Sequence, residues 1–198
     1  TLFSTFPYLG VEIHEVSLIH PIDSLSPDTL ASVEKIVLSV QPFDAIHGDI
    51  FIKQLSIEGV TANVYVSADG MTNYDVIALS DTTEIVEDTT TGWRIESIGW
   101  DEDMTIHARS VSYRDDKNQI AASLHHTSIT LAGVEKDTLL GVVLDVKAEQ
   151  IDAFVQGEQY ANHYQFQLHL PLWSNSVNQV RIDNATCALN DYRMTIDG

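Results

Sequence analysis

Between Ala31 and Ile77, apolar residues recur at every second position in short runs, and only a β-strand repeats its side chains with that period. Ile36, Leu38 and Val40 share one parity, with Lys35, Val37 and Ser39 on the other. Pro42 stops this strand, since proline has no N–H to give to a ladder. From Asp49 to Glu58 the apolar positions are Ile50, Ile52, Leu55 and Ile57. Their parity changes between Ile52 and Leu55, which predicts a β-bulge there or a break into two strands. Gly59 reads as the end of that segment and Ala62–Val66 as a third strand, closed by the turn Ala68-Asp69-Gly70. Nothing in the stretch is a nucleophile, a metal cage or a phosphate loop; alone it specifies an antiparallel sheet.

The same signature runs through the rest of the chain. Val11 and Ile13 share one parity and Val16 and Leu18 the other, which predicts a bulge near His14-Glu15. Ser26-Pro27-Asp28 is expected to cap one short helical turn through Thr29–Ala31. Strand patterns resume at Trp93–Trp100, at Met104, Ile106 and Ala108, and at Val111 and Tyr113. They continue through Ile120–Leu131, Leu140–Val146 and Tyr164–Leu170, where Pro171 is expected to end the strand, and close with short runs around Val180, Cys187 and Met194. Turns are predicted at Arg114–Asn118, Gln156-Gly157-Glu158 and Asn190-Asp191. A weak repeat matches Ile52–Asp69 with Ile95–Asp115. With no helical period of normal length, the expected fold is all-β and mainly antiparallel: a curved, twisted sheet with an apolar inner face and little helix.

Ten basic against 29 acidic residues give a net charge of −19. Phosphate contacts need clustered Lys and Arg, so nucleic acid is excluded as a partner, and broad adsorption to anionic headgroups is disfavoured. The single Cys187 rules out an internal disulfide and reads as a buried, inert thiol. No apolar run approaches the roughly 20 residues of a membrane-spanning helix. The segment Ser80–Gly92, SDTTEIVEDTTTG, is acidic, threonine-rich and poor in large apolar residues, and reads either as a mobile loop or as a domain boundary.

Residues that carry chemistry are present without the spacing that chemistry needs. His125 and His126 are adjacent and face opposite ways on a strand; His163 and His169 lie about 20 Å apart along one. No HExxH or Cys/His pairing occurs, and no metal site is expected. Asp101-Glu102-Asp103 and Asp115-Asp116 lack the spaced Gly-containing loop of a calcium site and read as solvated turn carboxylates. There is no G-x-S-x-G elbow and no glycine-rich phosphate loop, so neither an enzyme nor a cofactor is expected. Trp93, Trp100 and Trp173 are candidates for a carbohydrate-stacking platform and equally for core packing.

The order of these pieces resembles the AsmA family. Val11–Leu18, Ile36–Val40, Ile46–Gly48, Ile50–Gly59, Ala62–Val66 and the turn Asp69-Gly70-Met71-Thr72-Asn73 follow that family's N-terminal pattern, the last being its most specific piece. Val111–Asp115, Gly157–Tyr160 and the closing LNDYRMTIDG match it more loosely. The resemblance implies a non-enzymatic periplasmic protein of a Gram-negative bacterium, anchored to the inner membrane by an N-terminal helix absent here and involved in outer-membrane biogenesis. It implies that residues 1–198 are a single β-rich domain from a longer protein, and it favours the loop reading of residues 80–92. Implied partners are phospholipid acyl chains and envelope proteins, with Ile36, Leu38, Val40, Ile50, Ile52, Val64 and Val66 as a lipid-facing strip. The alternative is a periplasmic or secreted β-sandwich that binds carbohydrate or protein. An apolar face left open favours the first reading, and one closed by a second sheet favours the second.

Overall fold

The structure, a computed structural model, describes residues 8–19, 29–41, 49–74, 97–100, 103–136, 139–176 and 179–197. The strands are β1 (Leu9–Ile19), β2 (Thr29–Val40), β3 (Asp49–Val66), β4 (Ser97–Trp100), β5 (Met104–Asp115), β6 (Ile120–Lys136), β7 (Leu139–Val155), β8 (Glu158–Ser176), β9 (Gln179–Ile182), β10 (Ala185–Leu189) and β11 (Tyr192–Ile196). All eleven belong to one sheet, in the order β1-β2-β3-β5-β6-β7-β8-β10-β11, with β4 also beside β3 and β9 also beside β8. The fold is all-β, without a helix among the described residues, and the sheet does not close into a barrel.

Most neighbours are antiparallel. β4 and β5 instead run parallel to β3, one after the other along its length. A parallel neighbour needs a long return connection, and residues 67–96 supply it. β9 and β10 likewise share one side of β8, broken at Asp183-Asn184. Tight turns join most of the rest. Gln156 and Gly157 both have positive φ, 51° and 83°, as a two-residue hairpin loop requires.

Several sequence expectations are corrected. Thr29–Ala31 is strand, not a helical turn, because Ala31 lies between Leu18 and Ala62 in the ladder and tertiary pairing overrides a local cap signal. β3 does not end at Gly59 but passes through it with φ of 69°. β8 continues through Pro171: the neighbouring ladder is broken beside it between β9 and β10, and its carbonyl accepts from Asp183 N at 3.4 Å. Between Ile52 and Leu55 the strand bulges instead of breaking. Ser39 faces Gln54 and Val40 faces Ile52, which leaves Lys53 as the extra residue. In the parallel ladder Ile52 sits beside Trp100 and Val64 beside Tyr113. The acidic segment 80–92, with Trp93 and Ile95, lies outside the described residues.

One transverse line organises the sheet. On successive strands it passes through His14-Glu15, Glu34-Lys35, Glu58-Gly59, Arg109, His125-His126 and Glu149-Gln150. On β1, β2, β3, β5, β6 and β7 the apolar parity inverts there: Ile13 against Val16, Ile36 against Val33, Ile57 against Val60, Ile106 against Val111, Ile129 against Leu124, Val146 against Ile151. On β8 it does not, since Tyr164, Phe166 and Leu168 keep one parity. Glu15, Gly59 and His126 take left-handed φ of 56°, 69° and 50°, and the β3–β5 register slips at Glu58/Val60 and again at Val60/Thr61. Each of these six strands absorbs one extra residue at the same row, so two consecutive polar residues share a face and the apolar set returns to its own side. A slip on one strand alone would expose its apolar residues. Made together on the six strands from β1 to β7, it keeps their apolar residues on one face along their length.

Candidate functional site

Cross-strand partners share a face, so the register lists what each face carries. One row reads Ile13, Ile36, Ile57, Ile106, Ile129, Val146, Leu168, Cys187, Met194 from β1 to β11. A parallel row reads Val11, Leu38, Leu55, Met104, Leu131, Leu144, Leu170. Past the phase shift the apolar rows resume with Leu18, Ala31, Ala62, Val111, Leu124, Ile151. The intervening row is polar: His14, Lys35, Glu58, His107, Ser128, Lys147, Gln167.

No second layer covers the apolar rows among the described residues. Substantial contacts between elements link only strands adjacent in the sheet. The buried hydrophobic side chains are Leu30, Ala148 and Ala185, whereas Ile36, Ile57, Ile106, Ile129 and Leu168 are half-buried. On the edges exposure rises, with Ile13 at 47% and Met194 at 56%. An ordinary core residue of this type would be almost wholly covered. Cys187 is half-buried in the first row, correcting the expectation of a fully buried thiol.

Of the expected strip, Ile36, Leu38, Val40 and Ile52 share the apolar face, Val40 directly beside Ile52. Ile50 occupies the register position beside Ile98 of β4. Val64 and Val66 return to this face through the extra residue at Gly59 and sit beside Tyr113 and Asp115, so Val66 is at a polar rim. The alternation of Ile106, Ile129, Val146 and Leu168 is visible in the sequence. Their alignment into one row with Ile36 is not, because it depends on register.

The opposite face is closed upon itself by charge. Lys35 Nζ and His14 Nε2 both lie 3.0 Å from Glu12, and Lys35 holds the Glu12 carboxyl below its ordinary range. Arg109 reaches Glu34 at 2.5 Å across Gly59, where a Cβ would run into the Glu34 side chain. Lys147 pairs with Glu149 at 3.4 Å and His169 Nδ1 with Asp145 at 2.7 Å. These pairs are exposed and individually weak.

Strand ends are finished by Asx side chains. The chain doubles back after Gly70 so that residues 71–74 cover the side of β3 that β2 leaves bare, with Val66 bridged to Thr72. Asn73 is wholly buried: its Oδ1 accepts from Tyr65 N at 2.8 Å and its Nδ2 donates to Asn63 O at 2.6 Å. Asn190 does the same for β8, accepting from Gln165 N at 2.7 Å. Asp115 is 4% exposed, correcting the solvated reading. It accepts from Asn118 N at 2.9 Å, from Asn118 Nδ2 at 2.7 Å and from the Tyr113 hydroxyl at 3.2 Å. Those donors, the Asn118 backbone N–H first, hold its pKa below the ordinary carboxylate value. Asp116 is engaged by Arg114 and the Tyr65 hydroxyl, and Arg114 lowers its pKa most. Both carboxylates are occupied within the turn. Among the described residues no three His, Cys, Asp or Glu side chains converge as metal ligands.

No protein-family model, curated protein or solved structure matches this chain.

Proposed function

We propose that the apolar face carries hydrocarbon chains of phospholipid, in an AsmA-like periplasmic protein that contributes to outer-membrane assembly. The carrying observation is the unbroken Ile13-to-Met194 row with no second layer over it among the described residues. The motifs Ile50–Gly59 and Asp69–Asn73 support the family assignment, and with it the inner-membrane anchorage of the intact protein. In this reading the sheet performs no covalent chemistry. Each methylene removed from water contributes about 0.8 kcal/mol, so a chain lying along the rows is held without a polar anchor.

Photocrosslinkers placed at Leu38 and Val64 test the proposal in intact cells: lipid adducts are expected at both positions, and Leu38→Asp or Val64→Asp, in folded protein, should abolish binding. Absence of adducts, together with a second sheet or protein segment seated on this face, would return the chain to the β-sandwich class.

A further inference from the structure

We propose that two copies of this chain join edge to edge through β1, antiparallel about a two-fold axis perpendicular to the sheet. β1 is an edge strand of eleven residues, exposed at every position, with neither proline nor lysine to discourage pairing. A long edge in that state is a template for another strand. The opposite edge, β11, offers only five residues.

The phase shift at His14-Glu15 selects the partner. A strand laid against β1 must carry its own pair of consecutive polar residues at that row, as β2 does with Glu34-Lys35. A second β1 meets this condition in a single register, with each His14 opposite the other copy's Glu15. Ile13 then faces Val16, Val11 faces Leu18 and Glu12 faces Ser17, so apolar meets apolar and polar meets polar. A slip of one residue would set Ile13 against Glu15 or His14 against Val16, apolar against polar.

Charge favours the same register. Glu15 has no ion-pair partner among the described residues, and Glu34, beside it on β2, is held by Arg109. His14 of the second copy would lie against it, while its own copy's contact is Glu12 at 3.0 Å. The two-fold axis supplies this pair twice. It also keeps both apolar faces on the same side, so the rows run on from one copy into the next. The inference stands on edge geometry and does not depend on the lipid reading.

Light scattering and sedimentation of the 198-residue chain test it. A dimer is expected within about 1–100 µM. His14→Glu puts like charges opposite each other twice and should raise the dissociation constant roughly tenfold, whereas His14→Lys preserves the dimer. In a Cys187→Ser background, the Val11→Cys/Leu18→Cys double variant should oxidise to a linked dimer, and Val11→Cys alone should not, because its own symmetry mate is too distant. A monomer throughout this range overturns the proposal. So does a dimer indifferent to His14→Glu, or one that links through Val11→Cys alone.

Discussion

Replacing Asn73 by alanine is expected to be among the most damaging changes in the first half of the chain. The side chain is fully buried and makes two hydrogen bonds to the backbone of β3, 2.8 Å from Tyr65 N and 2.6 Å to Asn63 O. Alanine removes both and leaves a donor and an acceptor without a partner at a place where β2 does not reach. Each such group costs about 1–3 kcal/mol, so the combined loss should be about 2–6 kcal/mol, a large part of a small domain's stability. Urea unfolding followed by far-ultraviolet dichroism reads this as a fall in midpoint at unchanged slope. Asn73→Asp separates the two bonds. Its carboxylate still accepts from Tyr65 N but cannot donate to Asn63 O, and the repulsion raises its folded pKa above the unfolded value near 4. Its destabilisation relative to wild type should therefore shrink as pH falls through that raised value, where the protonated acid donates again. A loss below about 0.5 kcal/mol for Asn73→Ala, or an Asp variant whose deficit grows on acidification, would refute this account of the turn.

Two further outcomes follow from the same geometry. Gly59→Ala must hold φ near 69° and push aside the Glu34 side chain, so it should cost about 1–2 kcal/mol in the same urea assay. Glu12, Asp115, Asp116 and Asp152 all have lowered folded pKa values, so they stabilise the protein fully above the ordinary carboxylate range, near 4. That contribution is lost as pH falls through the lowered values; a urea midpoint that rises between about pH 5 and pH 3 would contradict it.

The sequence shows every strand family as a period-two run, because alternation is local and needs no knowledge of the neighbour. Boundaries are less legible. Gly59 and Pro171 are strong local punctuation, yet both sit inside strands: Gly59 supplies the extra residue of the phase shift, and Pro171 faces a gap between β9 and β10. Parity changes at His14-Glu15 and at Ile52–Leu55 are visible one strand at a time. That the first belongs to a line running from β1 to β7 emerges only when Glu34, Arg109, His126 and Glu149 fall into register with it. The strip illustrates the same limit. Ile36 and Leu38 are identifiable from alternation alone, but their continuation through Met104, Ile129 and Leu168 requires the parallel β3–β5 pairing, which depends on contacts remote in sequence.

The net charge and the two faces together make a prediction about headgroups. Lys35, Arg109, Arg114 and Lys147 are matched on or beside the polar face by Glu12, Glu34, Asp116 and Glu149. Among the described residues, acidic side chains also stand in turns and strand termini, at Asp69, Asp103, Asp183, Asp191 and Asp197. A hydrocarbon chain lying on the apolar rows meets no charge, but a headgroup leaving them passes this acidic margin. On the lipid-carrying proposal, zwitterionic phospholipid should therefore bind with little dependence on salt, while an anionic lipid with the same chains should bind more weakly at low ionic strength. The gap should narrow as salt shortens the screening length from about 30 Å at 0.01 M to about 8 Å at 0.15 M. Competition between fluorescent phosphatidylcholine and phosphatidylglycerol across that range measures the difference. Tighter anionic binding at low salt would mean that a cationic group outside the paired set reaches the headgroup, and the apolar rows would then not be sufficient to account for recognition.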